Sequence, residues 1–203
     1  MLEELEKEAK LNNIPIMQKD GIDFLTNFIK EKKINNILEI GTAIGYSAIK
    51  MALIDKDITI VTIERDNKRY KEAIKNIDNF KLKQQIKVIN DDAFNVIINE
   101  NFDLIFIDAA KSQSIKFFEK FQNNLNQNGF IITDNLHFHG LVNSDIEIKS
   151  RSLRSLIKKI KEYIVYLKEN KQFETIFLDV GDGISISYKG GGDNDSHFGC
   201  EKR

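Results

Sequence analysis

Apolar residues recur along this chain in two rhythms. In residues 2–11 they keep helical spacing among charged residues. Residues 19–32 repeat the pattern, with Ile22, Leu25, Phe28 and Ile29 on one face. Then short continuous apolar runs begin: Asn36–Ile40, Ile58–Glu64, Ile86–Ile89, Phe102–Ile107 and Phe130–Thr133. Helical stretches separate them, at 44–54, 66–79, 92–98 and 112–126. Apolar runs alternating with helices predict parallel strands covered on both faces. Right-handed crossovers make that a doubly wound sheet. A loop over 135–148 and a helix over 149–169 follow. The end differs: FETIFLDV and ISISY flank Gly181-Asp182-Gly183, which predicts an antiparallel hairpin. The expected fold is therefore α/β and Rossmann-like, a mainly parallel, doubly wound sheet closed by a C-terminal hairpin. Residues 1–189 read as one domain, with the N-terminal helices in 1–32 as a cap. Residues 190–203 lack periodicity and read as a disordered tail.

Composition narrows the function classes. The 203 residues carry a formal net charge of −1, so nucleic-acid contact needs a local basic face. The lone cysteine, Cys200, lies in the tail and permits neither an internal disulfide nor a thiolate zinc site. A reducing, cytoplasmic setting is expected. The charged N-terminus is no signal peptide, and no apolar run is long enough to span a membrane. Lysine is abundant and arginine scarce, so arginines are the more informative cations.

The chemistry gathers at predicted strand ends. Glu39-Ile40-Gly41-Thr42-Ala43-Ile44-Gly45-Tyr46-Ser47 follows the first strand and opens a helix. Glycines there let the backbone turn tightly and approach a ligand. The dinucleotide spacing G-x-G-x-x-G fails at Ala43 and Tyr46, which disfavours a nicotinamide oxidoreductase. Glu64 ends the second strand, where a carboxylate can accept ribose hydroxyls; Asp66 is the better helix cap. Asn90-Asp91-Asp92-Ala93 follows the third strand, with Asp92 as a further cap. The fourth and fifth strands end at Asp108 and at Asp134-Asn135. Strands so placed are neighbours, so three oxygen donors converge, a set suited to magnesium, manganese or calcium rather than zinc. Lys111 follows Asp108 closely and is a candidate general base.

Together these segments resemble the metal-dependent O-methyltransferases that include catechol and caffeoyl-CoA O-methyltransferases. Ala43 stands where the methyltransferase pattern E-x-G-x-G-x-G has its middle glycine. Within the group, Ile14-Pro15-Ile16-Met17, IDAAKSQ, TDN and Val180-Gly181-Asp182-Gly183 resemble bacterial enzymes that methylate 5-hydroxyuridine at the tRNA wobble position. The resemblance implies S-adenosylmethionine as donor and Mg2+ or Mn2+ as metal. It places Met17, Gly41, Ser47, Glu64, Ala93 and Asp108 around the cofactor. It places the metal on Asp108, Asp134 and Asn135, and Lys111 at the reacting oxygen. It further implies seven strands, a homodimer and a tRNA anticodon partner.

The helix over 149–169 bears on that partner. Leu153, Leu156, Ile157, Ile160, Ile164 and Leu167 form an apolar stripe. Arg151, Arg154 and Lys158 lie on another face and are candidate tRNA contacts. His137 and His139 are read as loop-packing or substrate-proximal. Two alternatives stay open: methylation of small catechol-like phenols, and a silent scaffold, which has no need of Glu64, Asp108, Lys111, Asp134 and Asn135 together.

Overall fold

A computed structural model describes residues 1–12, 14–143 and 148–189. Two helices lead: α1 (Leu2–Leu11) and α2 (Lys19–Lys32). The alternation then runs β1 (Asn36–Ile40), α3 (Tyr46–Ala52), β2 (Thr59–Ile63), α4 (Asn67–Asn79), β3 (Ile86–Ile89), β4 (Phe102–Ile107), α5 (Ser114–Phe121), β5 (Leu125–Thr133) and α6 (Arg151–Glu169). The hairpin strands β6 (Phe173–Leu178) and β7 (Ile184–Lys189) finish it.

All seven strands form one sheet in the order β3-β2-β1-β4-β5-β7-β6. The first five are parallel, while β7 runs antiparallel to both β5 and β6. The predicted mixed, mainly parallel sheet is thus observed. The order reverses between β1 and β4, where Ile40 pairs with Ile107. Such a reversal opens a crevice at the strands' carboxyl ends.

Alternate strand residues feed two cores. Ile37, Leu104, Phe106 and Ile132 pack with α2, α3 and α4. Leu38, Ile105, Ile107 and Ile131 face α5 and α6 on the other side. Tyr163 of α6 is fully buried, and its hydroxyl lies 2.8 Å from Thr133 Oγ1. That bond seats α6 on the end of β5, one residue before Asp134.

Three boundaries depart from expectation. Residues 92–98 form no helix, only a turn. Asp92 Oδ1 takes the Phe94 amide at 2.9 Å, and Asn95 Nδ2 donates to Asp91 Oδ1. Side chains that bind nearby backbone compete with helix in this way. The helix predicted over 112–126 splits into a 3-10 turn at Lys111–Gln113, α5, and a second 3-10 turn at Gln122–Asn124. Asn124 Nδ2 donates to the Ile98 and Glu100 carbonyls, and β5 starts at Leu125, paired with Phe102. The helix predicted over 44–54 begins only at Tyr46, because Gly45 is left-handed (φ 85°). The expected cap at Asp66 is present: its Oδ1 takes the Lys68 and Arg69 amides at 2.9 Å. Part of the loop over 135–148, and the tail with His197 and Cys200, lie outside the described residues. Among the described residues, no helix is long and apolar enough to cross a membrane.

Phe118 joins α5 to α6 and the hairpin. It is fully buried and meets Phe173 and Tyr166 edge-on at 5.0 and 5.6 Å between centroids. Phe118→Ala is expected to cost about 3–5 kcal/mol of stability, read by urea denaturation. A loss below about 1 kcal/mol would mean that α6 is not held through this ring.

Candidate active site

One cleft of about 610 Å³ lies over the carboxyl ends of the strands. Its walls include Met17, Gly41, Ser47, Glu64, Ala93, Asp108, Lys111, Asp134 and Asn135. Every predicted cofactor, metal and catalytic residue therefore reaches the same space.

One end is built on the turn after β1. Gly41 has φ 106°, and a Cβ there would meet the Asp108 carbonyl oxygen at 2.5 Å. Only glycine allows that approach, which brings the ends of β1 and β4 together. Ala43 is also left-handed, at φ 48°. Its amide donates to Glu64 Oε2 at 2.8 Å, while Glu64 Oε1 accepts from the Asp66 amide at 2.8 Å. Glu64 thus pins the turn that the ligand would touch.

Beneath the turn lies Glu39, which is fully buried. Ser47 Oγ donates to its Oε1, and Thr62 Oγ1 to its Oε2 at 2.6 Å. Thr42 joins through Thr62, hydroxyl to hydroxyl, at 2.7 Å. Burial pushes the Glu39 carboxyl up to about 7, against the two hydroxyl hydrogen bonds that favour its charge. Ser47 lines the cleft, but its hydroxyl is committed to Glu39. The E-x-G pattern marked Glu39 as part of the turn; its anchoring role had no signal beyond that.

The other end is acidic. Lys111 Nζ donates to Asp108 Oδ1 at 2.7 Å, with the lysine side chain only 10% exposed. Asp134 is buried on the adjacent strand end. Its carboxyl is pushed up to about 7, first by burial and then by the charge of Asp108. Asp134 Oδ1 and Asn135 Oδ1 are both buried with no hydrogen-bond partner. Buried polar atoms are rarely left so. Two orphaned oxygens beside a second carboxylate fit a hard divalent cation. Among the described residues this set has two carboxylates and one amide, with no histidine or cysteine.

Of the other wall residues, His139 was expected near the substrate and Asp182 only within the closing motif, while Phe94, Phe117, Phe138, Arg65 and Arg69 carried no advance signal. Phe94 stacks on Phe117 with centroids 4.8 Å apart and planes 8° apart. Arg65 and Arg69 line the cleft beside Glu64, and Phe138, His139 and Asp182 line the acidic end. His137 stays out of the wall. The α6 cations stay out too: Arg154 and Lys158 border a separate depression, and Arg151 lines neither.

Comparison with known proteins agrees with this geometry. A family model described as O-methyltransferase matches residues 1–190. The chain belongs to the O-methyltransferase family. A solved structure from Staphylococcus aureus, provisionally assigned as a caffeoyl-CoA O-methyltransferase, is 38% identical. It superposes with a TM-score of 0.88 over 93% of this chain and 92% of that one. A catechol O-methyltransferase of Niastella koreensis is 34% identical over 119 residues, 55% of this chain and 53% of the relative. An O-methyltransferase of Bacillus cereus, solved in complex with SAH, is 25% identical. It covers 93% of this chain and 90% of its own, with a TM-score of 0.79.

The buried Glu39 gives this O-methyltransferase a testable pH signature. Its carboxyl holds its proton up to about 7 when folded, against 4.5 ordinarily. Between those values the folded state binds the extra proton, so stability falls as pH rises. The contribution is full below about 4.5 and lost by the time pH has risen through about 7. Glu39→Gln removes that proton equilibrium. Its melting temperature should gain on wild type between pH 5 and about 8 in paired thermal melts. Parallel pH curves would show that Glu39 is ionised throughout.

Proposed function

We propose that this O-methyltransferase takes S-adenosylmethionine as donor and methylates a small phenol carrying a second oxygen beside the reacting hydroxyl. One observation carries the reading: the buried, orphaned oxygens of Asp134 and Asn135 beside the Asp108–Lys111 pair, in one cleft with the Gly41 turn and Glu64. The structure solved with SAH and the catechol relative support the donor and the acceptor class.

The roles follow from position. Glu64 and the turn at Gly41 and Ala43 would hold the nucleoside, and Met17 and Ala93 would flank it. Asp108, Asp134 and Asn135 would hold Mg2+ or Mn2+. A bound divalent cation supplies charge that favours an ionised acceptor oxygen, and a bound sulfonium supplies the methyl group. Lys111 Nζ, held by Asp108, would take or share the proton of the acceptor hydroxyl. The cleft walls would hold the reactants in line, and such positioning is worth roughly 7–11 kcal/mol in favourable cases.

The tRNA reading finds less support. Arg154 donates to the Ile148 and Lys149 carbonyls at 2.7 and 2.9 Å, so its guanidinium is engaged within the chain. Lys158 lies 3.9 Å from Glu162. The acceptor geometry of a 5-hydroxyuridine matches that of a catechol, so the acceptor's surroundings must decide.

The test offers catechol and hydroxylated, unmethoxylated tRNA side by side, with labelled S-adenosylmethionine and magnesium. Label is expected in catechol, abolished by EDTA and by Asp134→Ala, and reduced about 10²–10⁴-fold in Lys111→Ala. Label in tRNA alone would restore the wobble-uridine reading. Label in neither would point to a silent scaffold.

A further inference from the structure

The loop between β6 and β7 touches the acidic end of the cleft. Asp182 lies in that loop, with its side chain 6% exposed. Its Oδ1 accepts from the His139 amide at 2.6 Å. Its own carbonyl accepts from the His137 amide at 2.7 Å, and the Gly183 carbonyl from the Leu136 amide at 3.0 Å. Three acceptors of one loop thus hold three amides of the segment that follows Asn135.

That segment needs holding. Asn135, Phe138, His139 and Gly140 have φ of 67°, 45°, 58° and 77°. Left-handed backbone at non-glycine residues persists only where the surroundings impose it. The loop itself is tightly packed. A Cβ on Gly181 would lie 3.2 Å from the Gly21 backbone, and one on Gly183 would lie 2.6 Å from the His137 ring. The β6–β7 loop is wedged between α2 and the segment carrying Phe138 and His139, both of which line the cleft. Asp182 Oδ2 is 3.2 Å from His139 Nδ1 but makes no aligned hydrogen bond.

Resting on the acceptor site described above, we propose that Asp182 is a positioning residue for the acceptor. By gripping the His139 amide it fixes the wall formed by Phe138 and His139. It also holds the backbone that presents Asn135. The donor end, built on Gly41 and Glu64, does not depend on it. Asp182 therefore sets how tightly the acceptor ring is held, and leaves the donor's affinity alone.

The test uses the full chain carrying Asp182→Ala or Asp182→Asn. Amide hydrogen exchange over residues 136–142 reads the grip without turnover. Steady-state assays with catechol read the acceptor and donor KM separately. Asp182→Ala should speed exchange of the His139 amide and raise the acceptor KM about tenfold or more, with the donor KM changed less than about twofold. Asp182→Asn keeps an oxygen for that amide and should stay near wild type in both readouts. Unchanged exchange in Asp182→Ala would overturn the proposal. So would an Asn variant as impaired as Ala with exchange at wild-type level, since the carboxylate charge would then act on the acceptor directly. If wild type methylates no catechol, the acceptor reading above fails, and exchange alone decides the grip of Asp182.

Discussion

The reversal of strand order between β1 and β4 is the constraint on which the rest depends. Chains leaving Ile40 and Ile107 side by side go to opposite faces of the sheet, and a crevice opens between them. The two chain ends must then pass within van der Waals distance, which Gly41 permits against the Asp108 carbonyl. That contact fixes the distance between the glycine turn with Glu64 and the acidic end. Glycine at 41 is thus a geometric condition for methyl transfer as well as for folding. The two ends share one backbone crossing.

The crevice gathers acids, and the chain handles each differently. Glu39 is deepest, and its oxygens are met by Ser47 and Thr62. It behaves as a structural pin. Asp108 has Lys111 at 2.7 Å. Asp134 shares the burial of Glu39 but lacks its hydroxyls, leaving one oxygen bare beside the bare oxygen of Asn135. Charge repulsion from Asp108 adds to the cost. An arrangement that raises a carboxyl to about 7 and leaves it unsatisfied is poor for stability and good for capturing a cation. The contrast between Glu39 and Asp134 separates pin from site more sharply than burial does.

Much of this was readable from the chain. The β–α alternation gave the sheet, because continuous apolar runs admit few other partners. Strand-end residues gave the acids, because parallel strands deliver their carboxyl ends to one edge. What failed was local or non-local in a specific way. Asp91 and Asp92 turned a helix-like stretch into a turn by bonding their own backbone. Asn124 ended α5 early through carbonyls two dozen residues away. The stacked Phe94 and Phe117 come from different segments, and no periodicity links them. Asp182 was visible only within a hairpin turn and a closing motif, with no sign of its grip, since its partner at His139 lies 43 residues earlier.

The choice of acceptor is where short-range chemistry stops discriminating. In the proposed site, any ring with adjacent oxygens would suit Asp108, Asp134, Asn135 and Lys111 equally. Selectivity would then come from the walls of the acidic end, which include Phe138 and His139. The basic stripe on α6 belongs to a different part of the surface, and its best-placed arginine ties down its own helix start. A long polyanion would need cations that point outward and border the cleft. Arg65 and Arg69 do border it, but beside Glu64, away from the acids at Asp108 and Asp134. The charge pattern is therefore consistent with the proposed small phenolic acceptor, for which Phe138 and His139, backed by the β6–β7 loop, would form a wall.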